Sequence, residues 1–304
     1  MKQTKLAYAK INLFLDIRSR REDGYHLIRS IMHAVSLHDE VSLTPRKQEA
    51  GEPRIRLTCS NPAVPCDGTN LACRAAEAFF AAVGDTDTAL DIHIQKNIPM
   101  AAGLAGGSTD AAAVLKGLND WAKAPWPNVW AGPLSVNELC RVGLKLGADV
   151  PFCIRGGASL VGGIGEILEP CPTLPRCFVV VACDGAGVST PAAYRALDET
   201  YGNFAPGAYA AHEEKLSCLM QAMRENDLGG VGEHAFNLFE SVILPHHNEA
   251  RGLKEYFTEQ GATLSMMSGS GPSVFGLFAD REAAQRACDG LVARGVAAHL
   301  CEPM

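Results

Sequence analysis

Lys96-Asn97-Ile98-Pro99-Met100-Ala101-Ala102-Gly103-Leu104-Ala105-Gly106-Gly107-Ser108-Thr109-Asp110-Ala111-Ala112-Ala113 joins two different periodicities through a run of glycine and alanine. Upstream, Leu90, Ile92 and Ile94 alternate with Asp91, His93 and Gln95, which predicts a strand over residues 89–96. Downstream, residues 108–118 are rich in alanine and predict a helix. A loop of small residues between them lets backbone N–H groups approach an anion, and the positive end of the following helix dipole points the same way. Ser108 and Thr109 add hydroxyl donors in the first turn. The alternative is a tight strand-to-helix connection that needs small residues only for packing. Two familiar phosphate motifs are excluded. Gly107-Ser108-Thr109 lacks the lysine of a Walker loop, and Gly103-Leu104-Ala105-Gly106 lacks the second glycine of a dinucleotide fingerprint.

Three further segments carry candidate chemistry. Ser268-Gly269-Ser270-Gly271-Pro272-Ser273 lies between two predicted strands, at 263–267 and 273–278, and reads as a hairpin turn or as one wall of a phosphate site. Asp149, in Leu146-Gly147-Ala148-Asp149-Val150-Pro151-Phe152, is either a turn-forming carboxylate or a general base held beside a pocket. Lys10 stands in an otherwise apolar strand over residues 5–17; such a lysine is paired, faces a cleft or lies at an edge, and by itself it reads as an edge lysine.

Around these segments, short strands are predicted at 40–44 and 54–59, and helices at 69–83 and 135–146. The second helix opens with a Ser135/Glu138 capping box. Residues 121–133 read as a loop, and 158–161 with 166–168 as a hairpin. A strand at 178–182 is followed by helices at 191–198, 212–225 and 247–259, the two hairpin strands, a helix at 281–293 and a strand at 296–300. That order is the split βαβ arrangement of a ferredoxin-like layer.

The 304 residues are 47% hydrophobic and 20% charged, which excludes a disordered, collagen-like or coiled-coil chain. A net charge of −7 argues against a nucleic-acid binder, although a pocket's local field can still favour an anion. The 11 cysteines form no Cys-x-x-Cys pair or zinc spacing, which predicts reduced thiols. With neither a signal-peptide core nor an apolar run of ~20 residues, a soluble cytoplasmic protein is expected.

Together these segments resemble the GHMP kinase superfamily, small-molecule kinases that include galactokinase, homoserine kinase and mevalonate kinase. The superfamily signature, Pro-x-x-x-Gly-Leu followed by small residues, appears from Pro99 to Ala111, and the turn from Ser268 to Pro272 matches the last signature. A finer likeness rests on Ala9-Lys10-Ile11-Asn12-Leu13, Asp23-Gly24-Tyr25-His26, Gly147-Ala148-Asp149-Val150-Pro151-Phe152, Val188-Ser189-Thr190-Pro191 and Asn237-Leu238-Phe239-Glu240. It points to members that phosphorylate a small cytidine diphosphate compound.

The resemblance implies an α+β chain with the two-domain GHMP kinase fold. Residues 1–169 would form a ribosomal-protein-S5-domain-2-like half with the phosphate loop and the base, and residues 170–304 a ferredoxin-like α/β sandwich. It implies transfer of phosphate from ATP to an alcohol, with Asp149 as base and Lys10 as its charged neighbour. The loop Pro99, Met100, Ala101, Ala102, Gly103, Leu104, Ala105, Gly106 and Gly107, with Ser108 and Thr109, would hold the ATP phosphates. Mg2+ would arrive with the nucleotide rather than in a metal site of the protein. Asn70 and Lys96 match positions near the adenine and ribose. For the substrate, Tyr25 and Tyr194 would sandwich the cytosine beside His26 and Thr190, with Asn12, Ser268 and Gly269 also lining the site. No nucleic-acid or membrane partner is implied, and a monomer or weak homodimer is expected. The family usually has glycine at the positions of Ala101 and Ala105 and serine at that of Thr109. Because alanine resists positive φ, ordinary backbone angles or a slightly altered loop are expected there. Asp110 is expected to act on the helix dipole. The alternatives are another GHMP kinase, of homoserine or mevalonate type, and a non-catalytic nucleotide sensor.

Overall fold

The computed structural model describes residues 2–123, 132–185, 187–202 and 209–304. Strands β1 (Gln3–Arg20), β2 (His26–Lys47) and β3 (Ile55–Cys59) open the chain, followed by α1 (Leu71–Val83), β4 (Thr88–Gln95) and α2 (Gly106–Ala122). Next come α3 (Val136–Leu144), α4 (Val150–Arg155), β5 (Ala158–Gly162), β6 (Ile167–Pro170), β7 (Phe178–Cys183) and α5 (Thr190–Tyr201). Helices α6 (Tyr209–Glu225) and α7 (Leu228–His234) lead to β8 (Phe236–Asn237), α8 (Glu240–Ile243) and α9 (Asn248–Glu259). The chain ends with β9 (Leu264–Met267), β10 (Val274–Phe278), α10 (Arg281–Val292) and β11 (Ala297–Cys301).

The described residues divide into two compact units. One comprises Met1–Ala9, His38–Ile98 and Ala105–Gly156; the other comprises Lys10–Leu37, Pro99–Leu104 and Gly157–Met304. The chain therefore passes between units several times.

In the first unit, the C-terminal half of β2 pairs antiparallel with β4, from Glu40↔Gln95 to Lys47↔Thr88, and β3 runs parallel to β4. The alternation read from β4 buries Leu90, Ile92 and Ile94 as expected. Helix α1 is capped at Asn70 and stopped by left-handed Gly84, and it buries Phe79 and Phe80 completely. Truncating either ring would cost about 3–5 kcal/mol. Helix α2 packs against α1.

In the second unit, β11-β7-β10-β9 form an antiparallel sheet covered by α9 and α10, the strand order of a ferredoxin-like layer. Gly276 lies at the centre of β10, where a Cβ would stand 3.0 Å from the buried Phe257 ring, so only glycine admits that phenylalanine. The expected hairpin is present, with β5 and β6 paired at Val161↔Leu168.

Two expectations change. Strand β2 begins at His26 rather than residue 40, because its buried polar residues interrupt the alternation while finding partners inside the fold. Ser30 donates to Phe14 O at 2.6 Å, and His33 donates from Nδ1 to Ala34 O and accepts from Leu174 N. Burial holds the His33 imidazole below its usual pKa. The apolar run after Asp149 is a short helix, α4. Trp121 and Ala122 belong to α2 rather than to a loop, and residues 124–131 of that expected loop lie outside the described residues.

Candidate active site

The glycine–alanine loop settles its own backbone question. Ala101 has φ 49°, Gly103 φ 75° and Ala105 φ 61°, while Ala102 and Leu104 lie outside the left-handed region. The expectation of ordinary angles at both alanines is therefore corrected: they adopt the conformation that glycine favours. Buried Ala102 and Leu104 anchor the loop between the left-handed residues. Left-handed backbone at 101, 103 and 105 is the kind from which anion-binding nests are built. Helix α2 begins immediately after Ala105 without a side-chain cap, so its first amides face whatever lies beyond the N-terminus. Pro99 leads in, and Met100 is 40% exposed.

In the second unit, Lys10 meets this loop. Its side chain is buried, and its Nζ donates to Asn12 Oδ1 at 2.6 Å and to Gly103 O at 2.8 Å. The edge-lysine reading is thus corrected, since the ammonium points into the protein. Asn12 is oriented by donating to Ser30 Oγ at 2.9 Å. Ser268 Oγ also donates to Gly103 O, at 3.2 Å, and any side chain on Gly103 would collide with Ser268 O. Gly269 (φ 58°) comes close as well, where a Cβ would lie 3.2 Å from Lys10 Nζ. The loop, the lysine and the second glycine turn thus converge in one place. The turn is held from behind by the Asn-Leu-Phe-Glu segment. Asn237 donates to Met267 O at 2.7 Å and Gly269 O at 2.9 Å, and Glu240 accepts from Met267 N at 2.8 Å. Thr190, at the start of α5, shares a 3.0 Å hydrogen bond with Ser270 Oγ of the same turn.

Tyr194 projects from α5 onto His26. The rings stack with centroids 4.6 Å apart and planes 23° apart, and Tyr194 stands edge-on to Phe239. Tyr25 is 59% exposed. In this structure the ring on Tyr194 is thus the imidazole of His26.

In the first unit, the half-buried Asp149 immediately precedes α4, and its carboxylate does not cap that helix. Two residues earlier, a Cβ on Gly147 would lie 3.8 Å from Ser108 Oγ, so the Asp149 turn sits beside the start of α2. Thr109 does not offer its hydroxyl as expected: it is buried and donates to Tyr8 O at 2.8 Å. Asn70 caps α1, accepting from Ala72 N and donating to Pro65 O.

Lys96 is paired with Asp39 and lies 3.5 Å from Asp110 Oδ2, its side chain 7% exposed. The same Asp39 accepts from Asn97 N and Ile98 N, fixing the entry to the loop. A Cβ on Gly106 would lie 2.8 Å from Lys96 Nζ, which explains the glycine there. Asp110 falls beyond the first turn of α2 and is buried. Burial is the main cause pushing its carboxyl pKa up to about 7; Lys96 opposes the shift and Asp39 adds to it. Its role in the dipole is replaced by this buried cluster.

The family model for the GHMP kinases N terminal domain matches residues 70–157, and that for the GHMP kinases C terminal region matches residues 219–297. The 4-diphosphocytidyl-2-C-methyl-D-erythritol kinase of Exiguobacterium sibiricum is 40% identical over 286 residues, 94% of this chain and 92% of that protein. The chain belongs to the GHMP kinase family. The enzyme of the same name from Clostridium beijerinckii is 41% identical over 283 residues, 93% of each chain. A solved 4-(cytidine 5'-diphospho)-2C-methyl-D-erythritol kinase is 30% identical, with a TM-score of 0.77 and 99% of both chains covered. Homoserine kinase from Cytophaga hutchinsonii shares the GHMP fold at 19% identity and TM-score 0.76, covering 100% of this chain and 94% of that one.

GHMP kinases take their phosphate from ATP, which fits a small-residue loop with left-handed backbone ahead of a helix start. No described helix is long and apolar enough to cross a membrane. Sequence reasoning missed Asp39, whose backbone contacts lie 58 and 59 residues away along the chain. Its one sequence signal is an acidic residue at the end of an apolar run. The structural roles of Asn237 and Glu240 were signalled only by their motif.

Proposed function

We propose that this GHMP kinase transfers the γ-phosphoryl group of ATP to the tertiary 2-hydroxyl of 4-diphosphocytidyl-2-C-methyl-D-erythritol, in non-mevalonate isoprenoid precursor synthesis. The observation that carries the reading is the left-handed alternation at residues 101, 103 and 105 ahead of an uncapped helix, with Lys10 bonded to Gly103. The residues from Pro99 to Ser108 bind the phosphates mainly through backbone amides. Thr109 contributes through its fold contact rather than its hydroxyl. Asn70 and Lys96 act at the adenosine end, with Lys96 working from its pair with Asp39.

Asp149 removes the proton from the 2-hydroxyl as its oxygen attacks the γ-phosphorus; the bond to the β-phosphate oxygen breaks and ADP leaves. Lys10, oriented by Asn12, stabilises negative charge on the reacting oxygens. Most of the remaining rate comes from positioning and charge stabilisation. Magnesium would arrive as a companion of the nucleotide, whose phosphate oxygens suit a hard cation. Ser108 is the first-turn hydroxyl suited to join the phosphate oxygens around it, and the ion would neutralise phosphate charge.

The cytosine binds among Tyr25, His26 and Tyr194, with Thr190, Ser268 and Gly269 lining the approach. The His26–Tyr194 stack favours a nucleobase over the homoserine and mevalonate alternatives. It would work in the cytoplasm, where its eleven free thiols suit a reducing compartment, and as a monomer or weak homodimer.

The test offers the purified protein ATP with the cytidine compound, homoserine or mevalonate and follows ADP release. Turnover with the cytidine compound is expected. Turnover with either other alcohol alone refutes the substrate, and no turnover with any alcohol despite ATP binding favours the sensor.

A further inference from the structure

Helix α5 grips His26 from two directions. Tyr194 and Asp198 are four residues apart, so they share one face of the helix. Tyr194 takes the face of the imidazole, with centroids 4.6 Å apart. Asp198 takes its edge, with Oδ1 2.8 Å from Nε2. The other carboxylate oxygen of Asp198 is 3.1 Å from Nη1 of Arg20, at the end of β1. The His26 side chain is 7% exposed, so its orientation is set by these protein contacts rather than by water.

We propose that Asp198, supported by Arg20, is a positioning residue for nucleobase recognition: it fixes the tautomer and ring plane of His26 above Tyr194. This rests on the cytosine-binding role given above to Tyr25, His26 and Tyr194. The chemistry is simple. A carboxylate only accepts hydrogen bonds, so Nε2 is the nitrogen that carries the hydrogen in this contact. Without that acceptor the Nε2–H form loses the hydrogen bond that favours it, so an arriving base must first order the surface that receives it. Arg20 keeps Asp198 pointed by occupying its second oxygen. The stack on Tyr194 does not set which nitrogen carries the hydrogen.

The experiment measures binding of cytidine 5'-diphosphate and of a non-hydrolysable ATP analogue to full-length wild-type, Asp198→Ala, Asp198→Asn, Arg20→Met and Tyr194→Ala proteins. In parallel, 15N NMR reads the tautomer of His26, with its signals assigned by their loss in His26→Gln. Asp198→Ala is expected to weaken cytidine diphosphate binding by about tenfold, the scale of one charged hydrogen bond, while ATP-analogue binding stays within about twofold. Its His26 signals should change from the Nε2–H form to a mixture. Asp198→Asn, which keeps an acceptor oxygen and the side-chain shape, should fall between wild type and Asp198→Ala, and Arg20→Met should weaken binding less than Asp198→Ala.

The proposal is overturned if Asp198→Ala and Asp198→Asn both bind cytidine diphosphate like wild type while Tyr194→Ala binds poorly, or if the His26 tautomer is unchanged. Equal loss of both ligands in the Asp198 variants would also overturn it, by marking general damage to the fold. If Tyr194→Ala binds cytidine diphosphate normally, the nucleobase reading fails, and with it this role. A changed tautomer in Asp198→Ala would then identify that failure as one of the reading and not of the Asp198–His26 contact.

Discussion

Replacing Ala101 and Ala105 with glycine tests the loop geometry through the sign of a stability change. Both alanines hold positive φ, at 49° and 61°. For an L-residue with a Cβ, that conformation costs roughly 1–2 kcal/mol. Glycine removes the penalty but gives the unfolded chain more freedom, which offsets roughly 0.5–1 kcal/mol of the gain. Loss of the methyl groups matters little, since Ala101 is exposed and Ala105 half-buried. The closest loss is at Gly187, where a Cβ would come within 2.7 Å of the Ala101 methyl. Each single variant is therefore expected to gain about 0.5–1 kcal/mol and the double variant about 1–2 kcal/mol. With ~2.1 cal/mol/K of unfolding entropy per residue over 304 residues, the double variant should melt about 2–3 °C higher.

Urea unfolding at fixed pH, checked by calorimetry, measures the change directly. Ala105→Val should move the other way by more than about 1 kcal/mol, because a β-branched residue tolerates this region still less. The reasoning is refuted if both glycine variants are less stable than wild type. That is the outcome for alanines with negative φ, where glycine only adds freedom to the unfolded chain.

The buried Asp110 should make stability depend on pH in a way Asp110→Asn removes. Its folded pKa is raised from 3.8 to about 7, so between those values the native state holds a proton that the unfolded chain releases. Stability contributed by this group therefore falls as pH rises from about 4 to about 7 and is flat above, with a ceiling of ~4 kcal/mol. Urea midpoints at pH 5 and pH 8 should show Asp110→Asn gaining on wild type at the higher pH; parallel profiles would contradict the buried-cluster account. Asn237→Ala should destabilise by about 2–4 kcal/mol, by leaving the Met267 and Gly269 carbonyls without their donor. Asn237→Asp should do no better, because its carboxylate faces two carbonyl oxygens. A normal urea midpoint for Asn237→Asp would show that the turn does not depend on this residue.

Local patterns gave most of the elements. The alternation of β4 and the Ser135–Glu138 box both lie within a few residues, and both appear in the structure. The split βαβ order of the second half likewise led to the observed sheet order. The family's separated motifs located Lys10, the loop and the second glycine turn, which meet at Gly103. Backbone strain and long-range partners were hidden. Alanine by itself argues against positive φ, yet the close approach of Gly103 to Ser268 and the buried anchors at Ala102 and Leu104 hold Ala101 and Ala105 there. Thr109 looked like a ligand hydroxyl because nothing local shows that Tyr8 O, 101 residues away in sequence, takes its hydrogen bond. Strand β2 was partly missed because Ser30 and His33 satisfy their polar atoms across the fold rather than at the surface.

The central claim is proton removal by Asp149 during phosphoryl transfer, and the most direct measurement is single-turnover phosphorylation of the cytidine compound by Asp149→Asn. The account predicts ATP binding close to wild type and a rate lower by ~10²-fold or more, the scale of losing a general base. Phosphoryl transfer by that variant at near wild-type speed would contradict it.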